Sequence, residues 1–366
     1  MKKRVLIISI TIALIISLAA AIVLLMPPKA PSAGNATENS AAIKEKVDEL
    51  LDCKHKLTYN EDGSFRVMIL ADLHMTLKAN AANQKLIRDH IQLLVDREQP
   101  NLVILTGDNT IFAYSEEDLR LCLDNVVGYL EEKQIPWCHV WGNHDEEHGM
   151  PRAKQQRIYQ SYDYCVSKSG PEELTGDGNY ALGVYKADGA LGSVIYCLDS
   201  GMYTDTSKTI YDYIREDQIA WYKETSELLQ KYNGGQVVPG MMAFHIPLFE
   251  SNKIYYYRED PEVVTEWDGA VNSAISSSYM DTDLLETVLD RGDVKAIVTG
   301  HDHNNTYTLN YKGAVKLAAC PTVSPNSLAL GGTEDIWGVR ILDLNTETVG
   351  SNIPTYISYV VEKDRE

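Results

Sequence analysis

No CxxC pair occurs in this chain of 366 residues, and its six cysteines fall at irregular spacings. That argues against a dense disulfide framework. Cys138 and Cys197 lie inside apolar, strand-like runs (IPWCHV and VIYCLD), the setting of buried free thiols, although one disulfide would be compatible with an oxidising compartment. Positive charge is also scarce: 33 Lys and Arg stand against 52 Asp and Glu, a net charge of -19. A surface so acidic repels nucleic acid and anionic lipid, so no DNA or RNA polymer is expected as a partner. Neither an internal repeat nor an interior linker breaks the sequence, which leaves one globular domain as the simplest organisation. The length suffices to bury a sizeable core.

What is present begins with a targeting feature. Lys2, Lys3 and Arg4 precede an uncharged apolar run from Val5 to Met26, ended by Pro27 and Pro28. The run is long enough to cross a bilayer as a helix. A cleaved signal has an apolar stretch of only about 7–15 residues, and here the small residues Ala19, Ala20 and Ala21 lie inside the run rather than after it. Residues 1–26 therefore read as an uncleaved signal anchor, with a cleaved signal peptide as the alternative. In either case the positive charges stay inside and the rest of the chain lies outside the membrane, anchored or secreted. Residues 27–42, rich in Pro, Ala, Ser and Asn, read as a flexible stalk, with a short amphipathic helix over 41–52 and the globular domain over 43–366.

Past the stalk, short apolar runs alternate with longer segments of helical spacing. Strands are expected over 65–71, 101–106 and 135–141, with helices over 84–98 and 116–133 between them. Further strands are expected over 193–199, 236–245, 295–300, 307–311 and 315–319, helices near 215–232 and 282–291, and antiparallel strands over 336–345 and 354–362. This rhythm indicates an α/β layered fold. Residues 146–190 and 249–280 are polar, rich in tyrosine and glycine, and read as loops on the substrate side.

Metal-type side chains gather at the C-terminal ends of the expected strands. They are Asp72 and His74 in ADLH, Asp108 in TGDN, Asn143 and His144 in GNHD, His245 in FHIP, and His301 and His303 in GHDH. Open α/β sheets place their sites at such ends, and carboxylate, imidazole and amide oxygen suit Mn, Fe or Zn. A DxH or HxH pair lets one short segment reach one ion or two neighbouring ions. Glycines before Asp108, Asn143 and His301 would allow sharp strand-to-loop turns. Any one of these residues alone is more simply a turn residue or a satisfied polar group; their order carries the functional reading. His139 reads as a structural histidine, His55 and His90 as surface residues, and His148 as a residue facing substrate or solvent. Asn304 and Asn305 read as turn stabilisers, and Tyr255, Tyr256 and Tyr257 as either an aromatic wall or ordinary packing.

The five blocks, in this order, resemble the signature of the calcineurin-like metallophosphoesterase superfamily, and GNYALGVY, IYCLDS and FHIPL are similar to its purple-acid-phosphatase-like branch. The resemblance spans residues 64–345 and implies a layered αββα sandwich with mixed sheets. It also implies two divalent ions (Mn, Fe or Zn) and hydrolysis of a small phosphorylated compound, a phosphomonoester or phosphodiester, by metal-activated hydroxide. Asp72, His74, Asp108 and His303 would hold the first ion; Asp108, Asn143, His245 and His301 the second, with Asp108 bridging. His144 would act on the leaving-group oxygen, and Asp145 or Asp302 would orient a neighbouring imidazole. One departure matters: the position of the metal-ligating tyrosine of purple acid phosphatases is Ile111, and the nearest tyrosine is Tyr114. No tyrosinate–iron colour is expected, and the metal is left open. A phosphoprotein phosphatase and a non-catalytic surface binding protein remain the alternative functions.

Overall fold

The computed structural model describes residues 33–147, 150–204, 210–330, 336–346 and 352–361. The expected signal anchor over 1–26 lies outside the described residues. Among the described residues no helix is long and apolar enough to cross a membrane. Two compact units divide the chain, Met1–Lys46 and Val47–Glu366. The described part of the first is helical, because helix α1 spans Ala33–Leu51. The stalk expectation is thus corrected from residue 33 onward: its prolines all precede that point, and the residues of α1 are rich in helix-forming Ala, Glu and Lys.

The second unit has the order β1 (Leu57–Thr58), β2 (Ser64–Leu70), α2 (Ala81–Glu98), β3 (Leu102–Thr106), α3 (Glu116–Glu132), β4 (Trp137–Val140), α4 (Arg152–Tyr159), β5 (Tyr180–Tyr185), β6 (Leu191–Cys197) and α5 (Glu216–Tyr232). It continues with β7 (Gly240–Phe244), α6 (Phe249–Tyr256), β8 (Val264–Asp268), α7 (Leu284–Arg291), β9 (Val294–Thr299), β10 (Thr308–Tyr311), β11 (Val315–Ala319), β12 (Gly338–Asn345) and β13 (Thr355–Tyr359). One sheet has the order β13-β12-β2-β3-β4 and the other β1-β5-β6-β7-β9-β11-β10-β8. Both are mixed: β2, β3 and β4 are mutually parallel, as are β6, β7 and β9, while β12 pairs antiparallel with β2 and β5 antiparallel with β6.

Alternate residues of each strand meet between the sheets. Val67, Ile69, Ile104, Ile195, Met241, Ala243, Val298 and Leu342 fill that layer. Their strand neighbours point outward: Met68, Leu70, Val103 and Leu105 pack with α2 and α3, and Tyr196, Met242 and Phe244 with α5, α6 and α7. The architecture is therefore an αββα sandwich. With both faces covered, the central strands read as continuous apolar runs rather than as alternating ones. Helix starts are chemically marked: Asn80 accepts from the Asn83 N–H at the head of α2, and Ser115 accepts from the Asp118 N–H at the head of α3.

The two segments expected to be loops contain α4, β5, α6 and β8. In α4 the buried side chains include Arg152, Gln155 and Gln156, so a buried face carries no apolar period. In β8 only Val264 is buried, and the exposed remainder lies at the sheet edge. His90 is buried, not on the surface: its Nδ1 lies 2.8 Å from the Val323 carbonyl and its ring rests on Trp337. His139 is buried as expected, with Nδ1 2.7 Å from the Ser167 hydroxyl.

Glu250, in the first turn of α6, buries Oε2 without a hydrogen bond. Burial, with Asp281 and Glu286 nearby, pushes its carboxyl up to about 7. Unfolded Glu ionises near about 4.3, so the folded state holds a proton that the unfolded state has lost, and stability falls as pH rises between those values. Glu250→Gln is expected to raise unfolding free energy by about 1–3 kcal/mol near pH 8 and to change it little near pH 4. Urea denaturation at both pH values checks this; an equal effect at both would refute it.

Candidate metal centre

All the metal-type residues of the sequence reach one end of the sandwich. Asp72 and His74 come after β2, Asp108 after β3, Asn143 and His144 after β4, His245 after β7, and His301 and His303 after β9. These are the C-terminal ends of parallel strands from both sheets. The loops after β2 and β3 run side by side: His74 N–H donates to the Asp108 carbonyl (2.8 Å) and Met75 N–H to that of Asn109 (3.1 Å). The two sheets are joined here as well. The His301 N–H donates to both oxygens of Asp72 (3.1 and 2.9 Å), and His245 Nδ1 lies 2.8 Å from the Thr106 carbonyl.

The backbone is strained where the ligand-type residues sit. Asp72, His74, Asp108 and His301 all have positive φ, at 54°, 43°, 49° and 70°. Non-glycine residues rarely adopt that region, and such strain concentrates at functional sites. The glycines act in two ways. Gly107 itself has φ of 90°. Gly142 is needed for close approach, since a Cβ there would fall 2.2 Å from the Asp108 backbone nitrogen.

Two sets of donors result. Ligand atoms of Asp72, His74 and His303 lie within 4.8 Å of one another, as do those of Asp108, His245 and His301. Asp108 touches both: Oδ2 is 3.3 Å from His245 Nε2 and 3.8 Å from His74 Nε2. Asn143 joins the second set, with Oδ1 3.1 Å from His245 Nε2. Apart from the partly exposed His301 and His303, these residues are all but fully buried.

The donor chemistry fits cations. His245 Nδ1 commits its proton to the Thr106 carbonyl, so the neutral ring presents its lone pair at Nε2. That lone pair faces Asn143 Oδ1, Asp108 Oδ2 and His301 Nδ1 (3.2 Å). In the other set His74 Nε2 and His303 Nε2 face each other at 3.1 Å. Acceptors crowded in this way repel unless a proton or metal ion lies among them. Burial drives the imidazoles toward the neutral, ligating form, His74 down to about 3, His303 to about 4, and His301 well below its usual value. Burial opposes charge on Asp108 too, but the surrounding imidazoles, His245 foremost, hold its carboxyl well below the usual range. Burial likewise opposes charge on His245, and Asp108 outweighs it, raising His245 to about 9, so that without a metal ion a proton holds the Nε2 position facing Asp108.

His144 stands beside the sets. Its backbone N–H donates to Asp108 Oδ1 (2.8 Å), its Nε2 lies 4.0 Å from Asp108 Oδ2, and its ring meets the edge of His74. The expected imidazole-orienting role of Asp145 needs correction. Asp145 accepts from the backbone N–H groups of Asn109, Thr110 and Gly142, clasping two site loops together. Asp302 similarly accepts from Ser276 N–H. The carboxylate on His144 is Glu147, whose Oε2 is 2.5 Å from Nδ1. Tyr203 and Tyr211 complete the site: Tyr203 bonds Glu147 and Asn143, and Tyr211 stands edge-on to His301. Asn305 buries its side chain and accepts from the backbone N–H groups of Asn272 and Ser273, bracing the segment between β8 and α7 rather than its own turn. Tyr256, on α6, and Tyr257 just beyond it are exposed, and His148 lies outside the described residues. A cavity of about 310 Å³ opens on the centre, lined by Asp108, His144, Tyr211, His301, Asp302 and His303 among others.

An αββα sandwich with paired histidine–carboxylate sets at its strand ends defines a metallophosphoesterase architecture. The profile of the calcineurin-like phosphoesterases matches residues 65–305, and the chain belongs to that family. Its relatives are purple-acid-phosphatase-like. It is 28% identical over 325 residues to the probable inactive purple acid phosphatase 29 of Arabidopsis thaliana, covering 81% of each protein. It is 29% identical over 278 residues to phosphatase DCR2 of Saccharomyces cerevisiae, covering 69% of this chain and 46% of that one. A dimetal phosphatase from Danio rerio shares the fold with a TM-score of 0.50 at 15% identity, over 81% of this chain and 99% of that one.

Proposed function

We propose that the domain over 43–366 hydrolyses small phosphate esters using two divalent ions, outside the membrane to which residues 1–26 anchor it. The observation that carries this reading is the convergence of lone pairs in two buried sets that share Asp108. Asp72, His74, His303 and Asp108 would hold one ion, and Asp108, Asn143, His245 and His301 the other. Nitrogen and oxygen donors of this kind suit Mn, Fe or Zn. Two such ions, when bound, supply Lewis acidity toward phosphate oxygens and a water acidic enough to ionise near neutral pH.

The chain's own part is positioning and proton transfer. His144 lies at the cavity; as an imidazolium it gives Nδ1–H to Glu147 and delivers its Nε2 proton to the departing alkoxide. A cavity of about 310 Å³ is at the small end of ligand sites, which favours a compact ester over a folded phosphoprotein. Three relatives, the probable inactive purple acid phosphatases 14, 28 and 29 of Arabidopsis thaliana, carry the word inactive in their names, yet every signature block is intact in this chain.

The test uses the full chain, purified and assayed for bound metal and for hydrolysis of p-nitrophenyl phosphate and bis-p-nitrophenyl phosphate with Mn, Fe or Zn. Two ions per chain with turnover of either ester is expected, and the preferred ester assigns mono- or diesterase activity. His144→Ala is expected to lower kcat by about 10²–10⁴-fold while both ions stay bound, on an ester whose leaving group needs a proton. A chain that binds no metal overturns the reading, and two ions without turnover of any ester favours the binding role.

A further inference from the structure

Three hydrogen bonds link two residues of the centre through side chains that no signature block contains. Asn143 Nδ2 donates to the Tyr203 hydroxyl (2.9 Å), Tyr203 Oη donates to Glu147 Oε1 (2.6 Å), and His144 Nδ1 lies 2.5 Å from Glu147 Oε2. The polarity of this chain is fixed. A carboxylate only accepts, so Glu147 takes one proton from Tyr203 and one from His144 Nδ1. The phenol oxygen, having given its proton away, accepts from the Asn143 amide. The Asn143 NH₂ group is thereby turned toward Tyr203, so Oδ1 is turned toward His245 Nε2, where it lies at 3.1 Å. His144 is held with Nδ1–H on Glu147, so Nε2 faces substrate, and the proton delivered there is the second proton of the imidazolium.

We propose that Glu147 and Tyr203 are positioning residues which together set the ring orientation of His144, with Nδ1–H bonded to Glu147 and Nε2 toward substrate, and the amide orientation of Asn143. The proposal rests on the roles given to His144 and Asn143 under the function above. It deepens that reading by tying proton delivery and ion binding to one hydrogen-bonded unit. Tyr203 reaches the unit from the segment after β6, where its ring stacks on Tyr211, itself edge-on to His301. The same segment therefore touches two side chains of the second donor set.

The two halves separate by experiment. Glu147→Gln is expected to cut turnover of an alkyl phosphate, whose alkoxide needs a proton, by about 10²-fold. Turnover of p-nitrophenyl phosphate, whose phenolate leaves unaided, should stay within about threefold, since His144 would matter little to it. Tyr203→Phe is expected to weaken binding of one of two zinc ions by about 10–100-fold, the usual effect of losing a ligand's outer partner. A readout independent of turnover is the nitrogen-15 spectrum of histidine-labelled, zinc-loaded full chain, with the His144 signals identified by their loss in His144→Ala. A hydrogen-bonded proton on Nδ1, with or without a second on Nε2, is expected in the wild type and its loss in Glu147→Gln. An Nε2–H tautomer in the wild type, an equal loss on both esters in Glu147→Gln, or unchanged zinc affinity in Tyr203→Phe would each overturn the proposal. A wild type that turns over neither ester but shows the hydrogen-bonded Nδ1 proton would defeat the enzymatic reading while leaving the positioning intact.

Discussion

Asp108→Asn is expected to lose both ions and to reduce kcat/KM by about 10³-fold or more, the scale of several kcal/mol of charge stabilisation. The substitution changes little else. Oδ1 still accepts from the His144 N–H, and the isosteric side chain keeps its place against Gly142, where there is no room for anything larger. The negative charge that faces His245 and His74 at once, one imidazole from each donor set, disappears. Removal of a residue belonging to a single set, such as His303→Asn or His245→Asn, should release one ion and leave the other. Metal analysis of the three variants, with thermal melts to verify folding, separates a shared carboxylate from an ordinary ligand. Two ions retained in Asp108→Asn at near wild-type affinity would refute the bridging role.

The ligand-type residues are legible in the sequence for a physical reason. Each lies one to four residues beyond a strand buried on both faces, and such strands stand out as unbroken apolar runs. Glu147 and Tyr203 are not legible, because they are 56 residues apart and meet only through the fold. Asp145 sits in the GNHD block, yet neighbours in sequence need not be neighbours in chemistry: its oxygens turn to backbone amides while Glu147 takes the imidazole. The same limit hides α4 and β8. One buries arginine and glutamine, the other is mostly exposed at a sheet edge, and neither carries the apolar period by which elements are recognised. The burial of His90 is equally hidden, because a histidine on a helix gives no sign of which neighbour will cover it; here Val323 and Trp337 do.

Arg340→Met is expected to cost about 3–5 kcal/mol of folding stability, as when one partner is removed from a buried charged network. Arg340 projects from β12 of one sheet and is almost fully buried. Its Nε donates to the Ala319 carbonyl (2.6 Å), Nη2 to those of Thr306 (2.8 Å) and Tyr307 (3.1 Å), and Nη1 to the hydroxyls of Thr308 (2.9 Å) and Thr355 (3.2 Å). Its hydrogen bonds thus go to carbonyls and hydroxyls rather than to a carboxylate. Burial draws its guanidinium down to about 10, and it remains charged at neutral pH. Two effects oppose each other. Burying a guanidinium is expensive, and a hydrophobic replacement recovers that cost. Against this, methionine takes the guanidinium donor from the Ala319 and Thr306 carbonyls, each worth about 1–3 kcal/mol, while the Tyr307 carbonyl keeps the Ala319 N–H (3.0 Å). Those carbonyls belong to the fixed backbone of the other sheet and its loop, so they cannot be replaced along with the arginine, and the loss wins. The Thr306 and Tyr307 carbonyls also come directly after the GHDH turn, so releasing them should loosen His301 and His303 and weaken metal binding in the folded variant. Urea denaturation of the metal-free protein and a zinc titration check the two parts. A loss below about 1 kcal/mol would mean that relief of desolvation cancels the lost hydrogen bonds, and unchanged zinc affinity would mean that the turn holds its shape without them.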